Sequence, residues 1–339
     1  MPDNQTTILE THALTIGYKS ARGQPRVVAE NINVSLLPGE LVCLIGPNGA
    51  GKSTLMRTIA GMQPPLSGIV LLMGDNVALL PPSDLAKRLA IVLTERVEIG
   101  MLSAYGLVGL GRHPYTDWSG RLSAYDEDMI RWALESVGAV DLAHRNVHEL
   151  SDGERQKVMI ARALAQEPAL ILLDEPTAFL DLPRRVEILQ VLRGLARSSG
   201  RAILLSTHDL DLALRSADRI WLLPKEGALQ VGAPEDLILS GAFESVFRSE
   251  GVEFDPQTGS FRLNTRLQRQ VILKGTGMAA LWTARAMERA GIAIVSAGIG
   301  APFVEIIGEA HPQIWKLTYA TESQDYTSLY ALINALKTD

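Results

Sequence analysis

The sequence predicts an α/β fold in two domains, a large one over residues 1–255 and a small one over residues 256–339. Three observations carry this. The runs LVCLI at 41–45, ALILL at 169–173 and AILL at 202–205 are continuously apolar, as strands buried on both faces of a parallel sheet are. Amphipathic helices stand between them: in KVMIARALAQ, Val158, Ala161, Leu164 and Ala165 recur at helical spacing. A length of 339 residues, 47% of them hydrophobic and 21% charged, suits two packed domains rather than one.

Charge and composition exclude several classes. The formal net charge of -6 gives no general support for nucleic-acid binding, although it leaves room for a local basic face. The single cysteine, Cys43, cannot form an internal disulfide; it fits a reducing cytoplasm and reads as a small buried hydrophobe. No apolar stretch reaches the length of a membrane span, and MPDNQTTILETH lacks the basic start and apolar core of a secretion signal. A membrane association therefore has to run through a partner.

The first strand leads into GPNGAGKST, that is Gly46, Pro47, Asn48, Gly49, Ala50, Gly51, Lys52, Ser53 and Thr54. This is the P-loop spacing. Its glycines permit a tight loop whose backbone N–H groups converge on phosphate oxygens. Lys52 is placed to reach the β- and γ-phosphates, Ser53 offers a hydroxyl to Mg²⁺, and the following helix adds its positive end. The second strand ends in Asp174 and Glu175. Asp174 suits a Mg²⁺ ligand, and Glu175 points elsewhere, towards the γ-phosphate and an attacking water that it can polarise as a general base. The third delivers His208, which can donate to a phosphate oxygen. The stretch LSDGERQ caps the helix after it with Ser151, Asp152, Gly153 and Glu154, and a helix start of this kind is an anion site.

Together GPNGAGKST, LSDGERQ, ILLDEP, AFLD and STHD, in that order over residues 8–250, resemble the nucleotide-binding subunits of ATP-binding cassette transporters. The resemblance implies a P-loop NTPase cassette with a mixed sheet core, an antiparallel β subdomain and a helical subdomain at about 96–165. It implies ATP and Mg²⁺ as the nucleotide and metal, with Ser53, Asp174 and the glutamine-loop residue around the metal. It implies a head-to-tail homodimer in which Ser151 and Gly153 contact the partner's ATP and Asp181 lies at the seam. Tyr18 matches the aromatic that stacks on adenine; its alternative is a half-buried strand tyrosine. GLGRHPY and DLPRRVEILQVLRGLA are similar to the subfamily that energises uptake of iron-siderophore, haem or cobalamin. This implies integral membrane permease subunits as partners, a substrate-binding protein engaged indirectly, and a peripheral position on the cytoplasmic face of the inner membrane. The apolar run MLSAYGLVGLGR, Trp118 and Trp132 fall in the segment expected beside the permease. Soluble cassette ATPases of DNA repair or translation are the alternative, but they carry tandem cassettes, coiled-coil insertions or basic faces. A small-molecule kinase would have no use for LSDGERQ or His208.

Glu95 departs from the family, which carries glutamine there. A carboxylate attracts Mg²⁺ and repels the γ-phosphate, each by about 4 kcal/mol at about 4 Å and an effective dielectric of about 20, so the two largely cancel. The expectation is a steeper Mg²⁺ dependence; the alternative is a solvated loop charge in a shifted register. His113, with Asp117 alone at a ligand-like spacing, is read as structural or interfacial, and His12, His144, His148 and His311 likewise.

Beyond the cassette, QVILKG, IAIVSAG, FVEIIGEA and IWKLTYA read as strands, and GMAALWTARAMERAG and YTSLYALINALK as helices. That gives a small two-layer α/β domain of unassigned role. Met278, Leu281, Trp282 and Ala286 are expected to be the buried stripe of its first helix. KGTGMA is read as a plain turn.

Overall fold

The computed structural model describes residues 7–19, 23–93, 101–248, 252–256, 258–263, 269–298, 300–308, 313–320 and 322–338. Glu95 and His311 lie outside the described residues, as does the loop register proposed around Glu95. The chain divides into two compact units, one of residues 1–248 with 254–261 and one of 249–253 with 262–339. The domain division expected at 255/256 falls inside the segment 254–261. That segment belongs to the first unit because Phe254 stacks on Phe243 at 5.5 Å and Phe261 meets Phe247 edge-on at 5.3 Å.

The first unit is built on a six-stranded sheet. Its order is Gln230–Gly232, Arg219–Leu222, Leu41–Ile45, Ala202–Ser206, Leu170–Asp174 and Leu89–Val92. All pairings are parallel except that of the edge strand Gln230–Gly232. The continuous apolar runs follow from burial on both faces. Val42 and Leu44 join a core with Leu14, Ile16, Leu36, Leu55 and Ile59, whereas Leu41, Cys43 and Ile45 join another with Val158, Leu164 and Leu192. Burial, reinforced by nearby Asp218, pushes the Cys43 thiol up to about 12, so it stays a neutral core residue. A second, antiparallel sheet pairs Arg26–Ile32, Leu9–Tyr18, Ser67–Leu72 and Asp75–Asn76, with Ser35–Leu36 also on Leu9–Tyr18.

Helices Ala104–Gly109, Ala124–Ser136 and Asp152–Ala165 pack together. The apolar run at 101–112 is helical only to Gly109 and continues as a 3-10 turn over Leu110–Tyr115. That turn carries Arg112, whose side chain is 1% exposed. Its Nε donates to Asp126 Oδ1 at 2.8 Å, and its Nη1 donates to Ala165 O and Glu167 Oε2, both at 2.6 Å. The guanidinium also lies over the Tyr115 ring at 4.0 Å. Burial works against its charge, but the hydrogen bonds to Asp126 and Glu167 outweigh this and hold the guanidinium above its usual value. Asp126 closes the capping box of its own helix with Ser123. One buried cation thus ties the start of one helix to the end of another.

The second unit is a five-stranded sheet, ordered Ile292–Ile294, Arg269–Lys274, Phe303–Ile307, Ile314–Tyr319 and Glu322–Tyr326. Helices Gly277–Arg289 and Leu329–Thr338 supply Ala286, Met287, Leu332, Ile333 and Leu336 to a core with Val271, Val304, Trp315 and Leu317. This is the two-layer arrangement expected. The buried stripe is corrected: Met278, Leu281 and Trp282 are exposed, and Thr283, Ala286 and Met287 face the core. The polar Thr283 is accommodated because its Oγ1 donates to Ala279 O at 2.7 Å and accepts from Trp315 Nε1 at 2.8 Å. The last strand, with exposed Glu322 and Asp325, was not anticipated.

Arg112→Met is expected to destabilise the first unit by about 3–5 kcal/mol, because Asp126 keeps a buried charge without its partner. Adding Asp126→Leu should recover part of that loss. Urea unfolding followed by tryptophan fluorescence measures both, and a single variant as stable as the parent would refute the anchoring role.

Candidate functional site

The site is assembled where three parallel strands end at one level. Leu44 pairs with Ser206, and Ser206 pairs with Asp174. After Ile45 the chain must pass close to the neighbouring strand end: a Cβ on Gly46 would stand 2.1 Å from Leu223 O. Gly51 combines φ +105° with a gap that Val28 Cγ1 would close to 2.2 Å, so only glycine fits there. Helix Lys52–Ile59 starts at once. The Lys52 ammonium folds back under the loop and donates to Gly46 O at 2.8 Å and Pro47 O at 3.3 Å. It is 7% exposed. Burial lowers its pKa, and the charges of Glu175 and then Asp174 oppose that shift.

The carboxylate pair is oriented by a residue that motif reading missed. Ser206 Oγ donates to Asp174 Oδ1 at 2.6 Å and accepts from the Glu175 N–H at 3.0 Å. Glu175 adopts φ 49°, a left-handed conformation that turns its side chain away from that of Asp174. Its Oε1 stands 2.5 Å from His208 Nε2. Ser206 opens the STHD stretch, but that stretch assigns it no role; its register with Asp174 does.

A cleft of about 360 Å³ results. It brings together the expected Tyr18, Asn48, Gly49, Gly51, Lys52, Ser53, Thr54, Glu175 and His208. Arg26 and Val28 line it as well and were not singled out from sequence. Tyr18 ends its strand half-exposed, with its hydroxyl 3.0 Å from Thr54 Oγ1. Gly46 and Pro47 lie beneath as acceptors for Lys52, Ala50 is buried, and Asp174 acts at charge range rather than lining the cleft.

The signature residues are elsewhere. Ser151 caps the helix Asp152–Ala165 in a closed capping box. Its N–H and Oγ donate to Glu154 Oε2, both at 2.8 Å, and Arg145 Nη1 donates to Glu154 Oε1 at 2.9 Å. These bonds, first those from Ser151, hold the Glu154 carboxyl below its usual value. Asp152 follows Ser151 in the first turn, and Gly153 faces Arg184. Asp181 caps the helix Leu182–Ser199 by accepting from Arg184 N at 3.0 Å. None of Ser151, Asp152, Gly153, Glu154 or Asp181 lines the cleft of its own chain. Among the described residues no three His, Cys, Asp or Glu form a metal-sized cluster, and Asp117 accepts from Ser119.

Comparison with known proteins gives concordant matches. Residues 29–178 match the family described as ABC transporter, and residues 268–337 match the family described as iron ABC transporter C-terminal domain. An uncharacterized ABC transporter ATP-binding protein of Methanocaldococcus jannaschii is 43% identical over 256 residues, 76% of this chain and 87% of that one. The iron(3+)-hydroxamate import ATP-binding protein of Bacillus subtilis is 38% identical over 251 residues, 74% and 91% of the two chains. The cobalamin import ATP-binding protein of Halobacterium salinarum is 36% identical over 286 residues, 82% and 70%. Among solved structures, the dimeric structure of a bacterial ABC transporter cassette superposes with a TM-score of 0.58 at 28% identity, covering 67% of this chain and 98% of that one. Its post-hydrolysis state bound to ADP and Pi gives 0.57 at 28% identity, with coverage of 67% and 98%.

Ser206→Ala removes the donor to Asp174 and the acceptor for the Glu175 N–H. The expected cost is about 1–3 kcal/mol of stability, the range for stranding buried polar groups. Ser206→Thr, which keeps the hydroxyl, should recover much of it in denaturant unfolding. An alanine variant of parental stability would show that the bridge contributes nothing.

Proposed function

The chain belongs to the family of ABC transporter ATP-binding proteins, and from that premise we propose that it is the ATP-hydrolysing motor of an importer for iron-siderophore, haem or cobalamin-type substrates. The observation that carries the chemistry is the convergence of Lys52, Ser53, Glu175 and His208 on one cleft. The importer class is supported by relatives named for hydroxamate-iron and cobalamin import and by the iron-transporter C-terminal match.

In this reading Tyr18 packs against the base, the loop N–H groups from Gly46 to Thr54 cradle the phosphates, and Lys52 leaves its carbonyl partners to neutralise the β- and γ-phosphates. Glu175 accepts a proton from the attacking water, with His208 fixing the carboxylate and contacting the γ-phosphate. The donors present fit Mg²⁺: Ser53 and Asp174 offer hard oxygens, and a Mg²⁺ held mainly by phosphates and water needs few protein ligands. Ser53 and Asp174, with Glu95 if its loop reaches, would hold the ion, which supplies charge neutralisation at the phosphates.

The signature residues complete the cleft of a second copy. Ser151 and Gly153 stand at a helix start that does not line the cleft of their own chain, so a head-to-tail homodimer uses both ends of the motif set. Described helices include none long and apolar enough to cross a membrane. Permease subunits at the cytoplasmic face, and through them a substrate-binding protein, complete the assembly.

Glu175→Gln is expected to bind ATP but hydrolyse it at least about a hundredfold more slowly. Reconstitution with the cognate permease in liposomes should give ATP-dependent uptake of a ferric siderophore, haem or cobalamin, and this variant should abolish it. Full ATPase activity in Glu175→Gln would refute the base assignment. A protein that no permease binds or couples to would favour the soluble-ATPase alternative.

In the Glu175→Gln background, ATP should convert monomer to dimer in light scattering. Adding Ser151→Arg should block dimerisation while leaving ATP bound to each monomer; normal dimerisation would remove the signature from the seam.

A further inference from the structure

We propose that the groove between helices Gly277–Arg289 and Leu329–Thr338 binds a small planar anion, a conjugated ring bearing a carboxylate or phosphate. The proposal is independent of the cassette reading, since every residue involved belongs to the second unit.

The groove arises from two facing rows of side chains. Trp282, Arg285 and Arg289 recur at i, i+3 and i+7 on one helix; Tyr330, Asn334 and Lys337 recur at i, i+4 and i+7 on the other. Each row therefore occupies one face of its helix. The space between them is about 430 Å³, within the range of small-molecule sites. Its floor is apolar, from Ala286 and Ile333, both nearly fully buried against the sheet.

The chemistry of the walls selects the occupant. Arg285, Arg289 and Lys337 line the groove, and among the described residues no carboxylate does. This concentration of positive charge stands in a chain of net charge -6. Trp282 is 52% exposed and Tyr330 78% exposed, although the sheet-facing side of the first helix is already filled by Thr283, Ala286 and Met287. Folding does not need either ring where it stands. Arg285 lies over the Trp282 ring at 4.9 Å and holds it beside the cavity. Flat π faces beside cations over an apolar floor suit a ring with an acidic substituent. Three cations around one cavity are fewer than the four to eight that mark a lipid-binding basic cluster.

The test is equilibrium dialysis of the full chain carrying Lys52→Ala, which disables the nucleotide cleft, against salicylate and against AMP. At least one probe should saturate at one molecule per chain, and which one does so separates an aromatic carboxylate from a nucleoside phosphate as the source of the anion. Arg289→Glu and Lys337→Glu should each weaken binding at least tenfold. Trp282→Leu should do the same and Trp282→Phe should retain binding, which separates loss of the ring from misfolding. Phenol and inorganic phosphate, each offering half of the chemistry, should bind at least tenfold more weakly. The proposal is overturned if neither probe saturates, or if folded variants bind as the parent does. It is equally overturned if light scattering finds the groove closed by a second copy, in a dimer that Trp282→Leu dissolves.

Discussion

The site depends on keeping one ammonium charged inside the protein. Lys52 is almost wholly buried, and burial alone would favour its neutral form. Three features oppose this: the Gly46 carbonyl at 2.8 Å, the charge of Glu175 and that of Asp174. None is adjacent to Lys52 in sequence. They reach it because Leu41–Ile45, Ala202–Ser206 and Leu170–Asp174 run parallel in one register. A one-residue slip would turn every side chain of a strand to the other face and take the carboxylates away from the cation. The pairing of Leu44 with Ser206 and of Ser206 with Asp174 therefore serves the chemistry as well as the core.

The signature helix shows the complementary constraint. A helix start leaves N–H groups without intrahelical partners and has a positive end, which in isolation would attract any anion. Glu154 answers that need within the chain, receiving both the N–H and the hydroxyl of Ser151 and braced by Arg145. A phosphate approaching Ser151 from a second copy would compete with this carboxylate.

Most of the cassette was legible because its residues sit next to strong local signals. Lys52, Asp174 and Glu175 each stand at or near the end of an apolar strand, and the glycines of the loop mark the turn. What was not legible depends on contacts between distant segments. The role of Ser206 emerges only from its register with Asp174, and that of Arg112 only from the meeting of three segments around it. The left-handed turn at Glu175 has no sequence signature, since a glutamate rarely takes that conformation without tertiary support. In the second unit the strand Glu322–Tyr326 escaped notice because it is a polar edge strand with no apolar alternation. The helix Gly277–Arg289 was read with the wrong face inward because it has apolar residues on two sides. A hydroxyl, Thr283, took a core position by satisfying both its donor and acceptor capacity.

The five tryptophans divide between covered and uncovered positions. Trp221 and Trp315 are buried, and Trp132 is half-covered with Arg201 over its ring at 5.1 Å. Trp118 and Trp282 are 98% and 52% exposed. Exposing an indole forgoes burial worth about 1.5–3 kcal/mol for a large apolar side chain, so folding stability gives no reason for either. Neither stands on a central strand: Trp118 lies in the turn before Ala124–Ser136, and Trp282 on a helix at the rim of a basic groove. The cassette site itself contains no tryptophan and relies on glycine, charge and one tyrosine. Chemistry and recognition thus use different parts of the chain. Rigid strand ends fix the reacting groups, while a turn and a helix outside the sheet carry the uncovered rings.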